Sequence, residues 1–209
     1  MLDGVTVFCH SSIKIAKEKI IYFDPYNIDS SYKDADIIFI THDHYDHFDI
    51  ESILKIKKED TYIVVPKTLD EVIHKSFDDE YVLIVEPGCC YNINDVKFET
   101  VRAYNIGKDF HPKDKDWVGY NVELSGYKYY VMGDTDEVVE SKIINCDVLF
   151  APIGGKFTMD KDEARHLTNI IGPKIAVPIN YGSIVGTKED ANYYVNNLDS
   201  NIKGVILIK

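Results

Sequence analysis

Three histidines and two aspartates occupy six consecutive positions, His42-Asp43-His44-Tyr45-Asp46-His47, in a chain that carries 7 histidines in 209 residues. Imidazole nitrogens and carboxylate oxygens are donors suited to zinc, iron, manganese or nickel, and clustering them on one loop lowers the entropy of assembling a coordination shell. The chemistry the string points to is the binding of a divalent metal ion. The remaining histidines are dispersed: His10 at the end of a strand-like segment, His111 in a loop, and His74 and His166 within segments of helical spacing. A lone helical histidine is more often a surface or packing residue, so His74 and His166 are set aside as ligands.

Such a string needs rigid elements to hold it. Just before it, Asp36-Ile37-Ile38-Phe39-Ile40-Thr41 is a continuous apolar run of the kind buried on both faces of a sheet. Just after it, residues 49–58 carry Ile50, Ile53, Leu54 and Ile56 near helical spacing. Residues 6–10, 13–16 and 20–24 alternate like hairpin strands. Further strands are expected at 62–65, 82–85, 97–104, 119–124, 127–132, 148–151, 174–178 and 204–208, with helices at 69–76, 161–171 and 189–197; Ser125-Gly126 is a hairpin turn. Two blocks of strands, each with its own helices, lie in tandem without a Ser/Pro-rich linker. The simplest architecture is one α/β (α+β) domain over 1–209, a four-layer αββα sandwich. Four of its strands run into polar or Gly-rich strings, at Thr41-His42-Asp43-His44, Gly133-Asp134-Thr135-Asp136, Pro152-Ile153-Gly154-Gly155 and Ile179-Asn180-Tyr181-Gly182. Ligands in α/β sheets bind beyond the carboxyl ends of strands, so these four strings should converge.

Composition narrows the partners. With 23 Lys+Arg against 35 Asp+Glu the formal charge is −12, a potential that repels phosphate backbones and disfavours nucleic acid. At 45% hydrophobic and 28% charged residues the chain is ordinary globular material, not collagenous or disordered. No apolar run approaches the roughly 18 residues of a membrane helix, and Met1-Leu2-Asp3-Gly4 lacks the basic start of a secretory leader. The expectation is a cytoplasmic protein, off the membrane, acting on a small-molecule substrate, with homo-oligomer formation left open. Cys9, Cys89, Cys90 and Cys146 show no C-x-x-C spacing and read as reduced structural thiols.

The pattern His42-x-His44-x-Asp46-His47 after a buried strand resembles the H-x-H-x-D-H signature of the metallo-β-lactamase fold hydrolases. The resemblance extends through Asp24-Pro25, Ala103-Tyr104-Asn105, Phe110-His111-Pro112-Lys113, Gly133-Asp134-Thr135-Asp136 and Pro152-Ile153-Gly154-Gly155. Its later segments are most similar to the branch that includes ascorbate-6-phosphate lactonase-like proteins. The resemblance implies an αββα sandwich with a metal centre between the sheets, holding one or two divalent cations per chain, zinc first and manganese, iron or nickel as alternatives. It implies a first site of His42, His44 and His111, a second of Asp46 and His47, and a bridging Asp134, with Asp46 and Asp134 as the catalytic carboxylates. A shared anionic oxygen offsets the repulsion between two cations. The implied reaction is hydrolysis of an ester, lactone or phosphoester. A nuclease or phosphodiesterase of the same fold, or a metal-binding protein without hydrolytic activity, are the alternatives. His10 and Asp24 are expected beside the metal ligands, Asp24 orienting a ligating imidazole. The chain departs from the pattern at Asn180, where relatives usually carry His. A neutral amide is a poor donor, and no histidine follows His166, so the second site should be the weaker.

Overall fold

The computed structural model of the chain describes residues 1–208. Its first sheet is built from β1 (Val5–Val7), β2 (Ile13–Ala16), β3 (Ile20–Phe23), β4 (Ala35–Phe39), β5 (Lys57–Pro66) and β6 (Val82–Val85), side by side in that order. The first three strands pair antiparallel and the last three join in parallel. The second sheet contains β7 (Cys90–Ile93), β8 (Val96–Arg102), β9 (Val118–Leu124), β10 (Tyr127–Val131), β11 (Val148–Pro152), β12 (Ile175–Ile179) and β13 (Lys203–Gly204). It too begins as antiparallel hairpins and ends in parallel strands. Helices α1 (Ile50–Ile56) and α2 (Asp70–Ile73) belong to the first half, α3 (Lys161–Ile171) and α4 (Lys188–Asn196) to the second.

Side-chain alternation along the strands makes the layers. Phe23, Ile37, Phe39 and Val64 from one sheet meet Phe98, Tyr120, Val131 and Phe150 from the other in a buried core between them. The neighbouring residues point the opposite way: Tyr22, Ile38, Ile40 and Ile63 pack with Ile53, Ile56 and Ile73 of α1 and α2. On the far side Tyr130, Leu149 and Ala176 pack with Ala164, Leu167, Ala191 and Tyr194 of α3 and α4. A strand sandwiched between sheet and helix is apolar on both faces, which is why Ile37, Ile38 and Phe39 of β4 and Val148, Leu149, Phe150 and Ala151 of β11 read as unbroken hydrophobic runs. The expected αββα sandwich is therefore the architecture observed.

Local differences have local causes. The helix expected at 49–58 ends at Ile56, because Lys57 turns extended and opens a ten-residue β5. The charged stretch Lys57-Lys58-Glu59-Asp60 hides this from hydropathy, yet Lys57 pairs with Ala35 across a register shift. Of the helix expected at 69–76 only the four-residue α2 forms, entered from a 3-10 turn at Lys67–Leu69. At the carboxyl end, pairing with β12 covers Lys203 and Gly204 alone. β1 stops at Val7, because Phe8 N–H donates to Ser12 O at 2.9 Å and Ser12 N–H to Cys9 O at 2.8 Å. That turn places His10 with a left-handed φ of 50°. The Ser125-Gly126 turn has positive φ at both positions, 50° and 74°, the twist that a two-residue hairpin requires.

Candidate metal centre

All four polar strings lie at one end of the sandwich, where strands of both sheets finish. β4 delivers Thr41 and His42; the loop to α1 carries His44, Asp46 and His47. Asp134 follows β10, and Asn180 follows β12. Gly133 and Gly154 make this convergence close. A Cβ on Gly133, whose φ is +67°, would lie 3.0 Å from Thr41 Cβ, and one on Gly154 would lie 2.9 Å from Asn180 Oδ1. His111 comes from the long loop after β8, which is tied to the Asp134 string: Asp136 N–H donates to Tyr104 O, and Asp136 accepts from Ile106 N–H and Lys108 Nζ.

Each key imidazole is held by one nitrogen so that the other is free. Thr41 Oγ1 donates to Asp24 Oδ2 at 2.7 Å, so the contact of 2.9 Å between Thr41 Oγ1 and His42 Nδ1 is donated by the ring. His47 Nδ1 lies 2.7 Å from the same Asp24 Oδ2. His111 Nδ1 faces two acceptors, Asn105 Oδ1 at 3.0 Å and Phe157 O at 3.1 Å. In His42 and His111 Nδ1 carries the proton and Nε2 presents a lone pair; in His47 Nδ1 is likewise the nitrogen that faces Asp24, which leaves Nε2 as the atom turned toward the centre. The Nε2 atoms of His42, His47 and His111 are buried without a hydrogen-bond partner. Buried polar atoms normally find one, so three unpartnered Nε2 atoms converging in one pocket beside a carboxylate fit a cation. His42, His44 and His111 bring donor atoms within 4.8 Å of one another, as do His10, Asp46 and His47, and as do His42, His47 and Asp134. Asp134 divides its oxygens between them, Oδ2 at 3.5 Å from His111 Nε2 and Oδ1 at 3.3 Å from His47 Nε2.

The electrostatics agree with this division. Burial pushes His42 well below the usual imidazole range, with the neighbouring histidines adding to it, and takes His111 down to about 3 and His44 down as well. These rings are neutral at pH 7 and can ligate without first losing a proton. Burial also disfavours charge on His47, but Asp134, Asp24 and Asp46 outweigh it and carry it up to about 9. Burial raises Asp134 to about 6 against the pull of His47 and His10, whereas Asp46 is held at about 2, its burial being overcome by His10 and His47. A pocket that draws a proton onto a fully buried histidine is one in which the carboxylates call for positive charge.

The structure thus brings together His42, His44, Asp46, His47, His111 and Asp134, with His10, Asp24 and Asn180 around them. His10 Nε2 lies 3.0 Å from Asp46 Oδ2. Asn180 donates from Nδ2 to Asp134 Oδ1 at 2.5 Å, and its N–H to His10 O at 2.9 Å. His10, Asp24 and Asn180 all have left-handed φ, 50°, 43° and 59°, a region in which Asn, Asp and His are the commonest non-glycine residues. His166 stands apart, 62% exposed and 2.7 Å from Glu137, and His74 pairs with Asp70 and Asp79. We expect His111→Ala to weaken metal binding by roughly 100-fold or more, since loss of a mere supporting partner already costs about 10- to 100-fold. His166→Ala should bind as the parent does. Chelator competition checks both, and the reverse pattern would reassign the third imidazole.

Sequence reasoning missed two residues. Thr41 links His42 to Asp24, and Trp117 packs its buried ring against His42, His44 and His111 at centroid distances of 5.0, 4.9 and 5.4 Å. Trp117 is the chain's single tryptophan, the one signal that could have drawn attention to it.

Comparison with known proteins places this centre in a family. Residues 4–180 match the β-lactamase superfamily domain. A UPF0173 protein of Pyrococcus abyssi is 32% identical over 172 residues, covering 79% of this chain and 77% of that one. The chain belongs to the UPF0173 metal-dependent hydrolase family. A UPF0173 metal-dependent hydrolase of Salinibacter ruber is 24% identical over 93% of this chain and 92% of its own. The crystal structure of a protein described as a metal-dependent hydrolase from Parabacteroides distasonis superposes with a TM-score of 0.84 at 28% identity, over 98% of this chain and 93% of that one. This UPF0173 chain is therefore an enzyme, a metal-dependent hydrolase of the metallo-β-lactamase superfamily, and its sandwich is the metallo-β-lactamase fold. The reading as a metal binder without hydrolytic activity falls away. The superfamily match runs from before His10 to Asn180 and so includes every candidate residue. Among the described residues no helix of this UPF0173 protein is long and apolar enough to cross a membrane.

Proposed function

We propose that this UPF0173 hydrolase cleaves an ester, lactone or phosphoester bond in a small molecule of the cytoplasm, within one domain over 1–209, and that it stands near the ascorbate-6-phosphate lactonase-like branch. The observation that carries the reading is the set of three orphaned Nε2 atoms on His42, His47 and His111 with the Asp134 carboxylate divided between them. His42, His44 and His111 would hold a first divalent cation, zinc before manganese, iron or nickel. Asp46, His47 and Asp134 would serve a second. The cation supplies Lewis acidity that activates water for attack. The protein's own part is to keep three imidazoles neutral, to set Asp134 between the two groups, and to wall the histidines off from bulk water with Trp117.

The charged groups at the rim favour a compact anionic substrate. Lys113 is engaged by Glu140 and the Tyr104 hydroxyl, but Lys115 lies near enough to depress His44 further. A single cation there suits one phosphate or carboxylate, whereas the net charge of −12 opposes a polyanion. The test is elemental analysis of protein purified without added metal, together with turnover on a panel of lactones, phosphomonoesters, phosphodiesters and single-stranded oligonucleotides. One or two equivalents per chain and turnover of a small lactone or phosphoester are expected. No bound metal, or turnover confined to oligonucleotides, would overturn the reading.

A further inference from the structure

We propose that His10, from the turn after β1, is a second imidazole of the second metal site beside His47, occupying the role that a histidine at position 180 would otherwise fill, while the Asn180 side chain holds Asp134. The inference rests on the two-group centre described above. His10 is 2% exposed, and its Nε2 lies 3.0 Å from Asp46 Oδ2, which is in turn 3.8 Å from His47 Nε2. Tetrahedral ligands at the usual metal–nitrogen and metal–oxygen distances stand roughly 3.3–3.6 Å apart. The His10, Asp46 and His47 donors, all within 4.8 Å of one another, bracket that spacing, and Asp134 Oδ1 lies 3.3 Å from His47 Nε2. The other ring nitrogen of His10 is 3.4 Å from Ser183 Oγ, a hydroxyl able to accept its proton and leave Nε2 to the metal.

Asn180 is arranged differently. Its amide nitrogen faces Asp134 Oδ1 at 2.5 Å and Ser11 Oγ at 3.4 Å, so the side chain meets the centre as a donor. The backbone N–H of the same residue donates to His10 O at 2.9 Å, which locks the His10 turn against the end of β12. The residue that departs from the ligand pattern is thus the one that fixes the substitute in place. Both adopt left-handed backbone conformations, and such strain persists where the surrounding structure over-determines it.

The experiment is stepwise cobalt(II) and zinc(II) titration of the full chain against a competing chelator, for the parent and for His10→Ala, His10→Gln and Asn180→Ala. The parent should bind two equivalents. His10→Ala should retain the first and bind the second roughly 100-fold more weakly or not at all, and His10→Gln should not restore it. Asn180→Ala, which acts through Asp134, should lose less, within the about 10- to 100-fold range of a supporting partner. In the di-cobalt parent, NMR should show hyperfine-shifted imidazole N–H signals from both His10 and His47, the His10 signal absent in the variants. Retention of the first equivalent in His10→Ala certifies that it is folded. Parent-like binding of both equivalents by His10→Ala, or rescue by His10→Gln, would show that His10 only supports Asp46 and would overturn the proposal. A parent that binds one equivalent would overturn it too while leaving the hydrolase reading intact. A parent that binds none would remove that reading itself.

Discussion

His42→Ala and His44→Ala should each strip the protein of its first metal equivalent and abolish metal-dependent hydrolysis while leaving a folded chain. His42 Nε2 is one of the three orphaned Nε2 atoms, and His44 shares the group in which donor atoms lie within 4.8 Å. Loss of a ligand should weaken binding by roughly 100-fold or more, above the cost of losing a supporting partner. The fold does not depend on the ion as a zinc finger does, because the sandwich has three separate buried clusters of its own. Truncating a buried imidazole should cost about 1–3 kcal/mol, a fall in melting temperature of roughly 2–12 °C for a chain this long. Metal content and thermal unfolding check the two halves of the statement. Both variants keeping a full complement of metal would mean that the H-x-H string does not hold the cation.

The legible part of this protein was the part written in contiguous residues. The string at 42–47 announces a metal by density alone, and the apolar run before it announces a strand covered on both faces, which β4 is. Helix α3 was readable end to end because Asp160 and Glu163 form a capping box and Gly172 closes it at a φ of 64°. What the sequence concealed was made by chain ends meeting at long separation. His10 reaches Asp46 across 36 positions and Ser183 across 173, and no local spacing carries that information. A search for a replacement imidazole around Asn180 looks only downstream of β12, whereas the nearby ring belongs to the first turn of the chain. Thr41 was invisible for another reason. A threonine ending a strand is ordinary β propensity, and its role exists only once Asp24 and His42 stand on either side. Sequence reads β5 as only four residues, 62–65, because its first part is charged, although the backbone ladder is indifferent to that charge at an intermediate or exposed position.

Asp24→Asn should produce the largest effect of any residue outside the two donor groups. Asp24 is fully buried and accepts three hydrogen bonds, from Thr41 N–H at 2.8 Å, Thr41 Oγ1 at 2.7 Å and His47 Nδ1 at 2.7 Å. It thereby fixes the tautomer of His47 directly and that of His42 through Thr41. Asparagine has the same shape, but its NH₂ group would confront a donor. The relief available to His47 is to move its proton to Nε2, which withdraws the lone pair aimed at the centre. Metal affinity should fall about 10- to 100-fold, more at the second site than at the first, because His47 touches Asp24 and His42 does so through a hydroxyl. Stability should fall by about 1–3 kcal/mol from the buried donors left unpaired. The pH dependence separates this account from simple damage to packing. His47 is raised to about 9 against burial, by Asp134 first and by Asp24 next, above an unfolded value of about 6.5. A group raised in this way stabilises the fold fully below about pH 6.5, and the contribution, about 3 kcal/mol for the whole shift, is lost as pH climbs through 9. Asp24 supplies part of it. The stability gap between parent and Asp24→Asn, measured by urea unfolding with chelator present, should therefore be widest below pH 6.5 and narrow toward pH 9. A gap that stays constant from pH 6 to 9 would mean that Asp24 does not hold the His47 proton, and that its three hydrogen bonds serve the strand end alone.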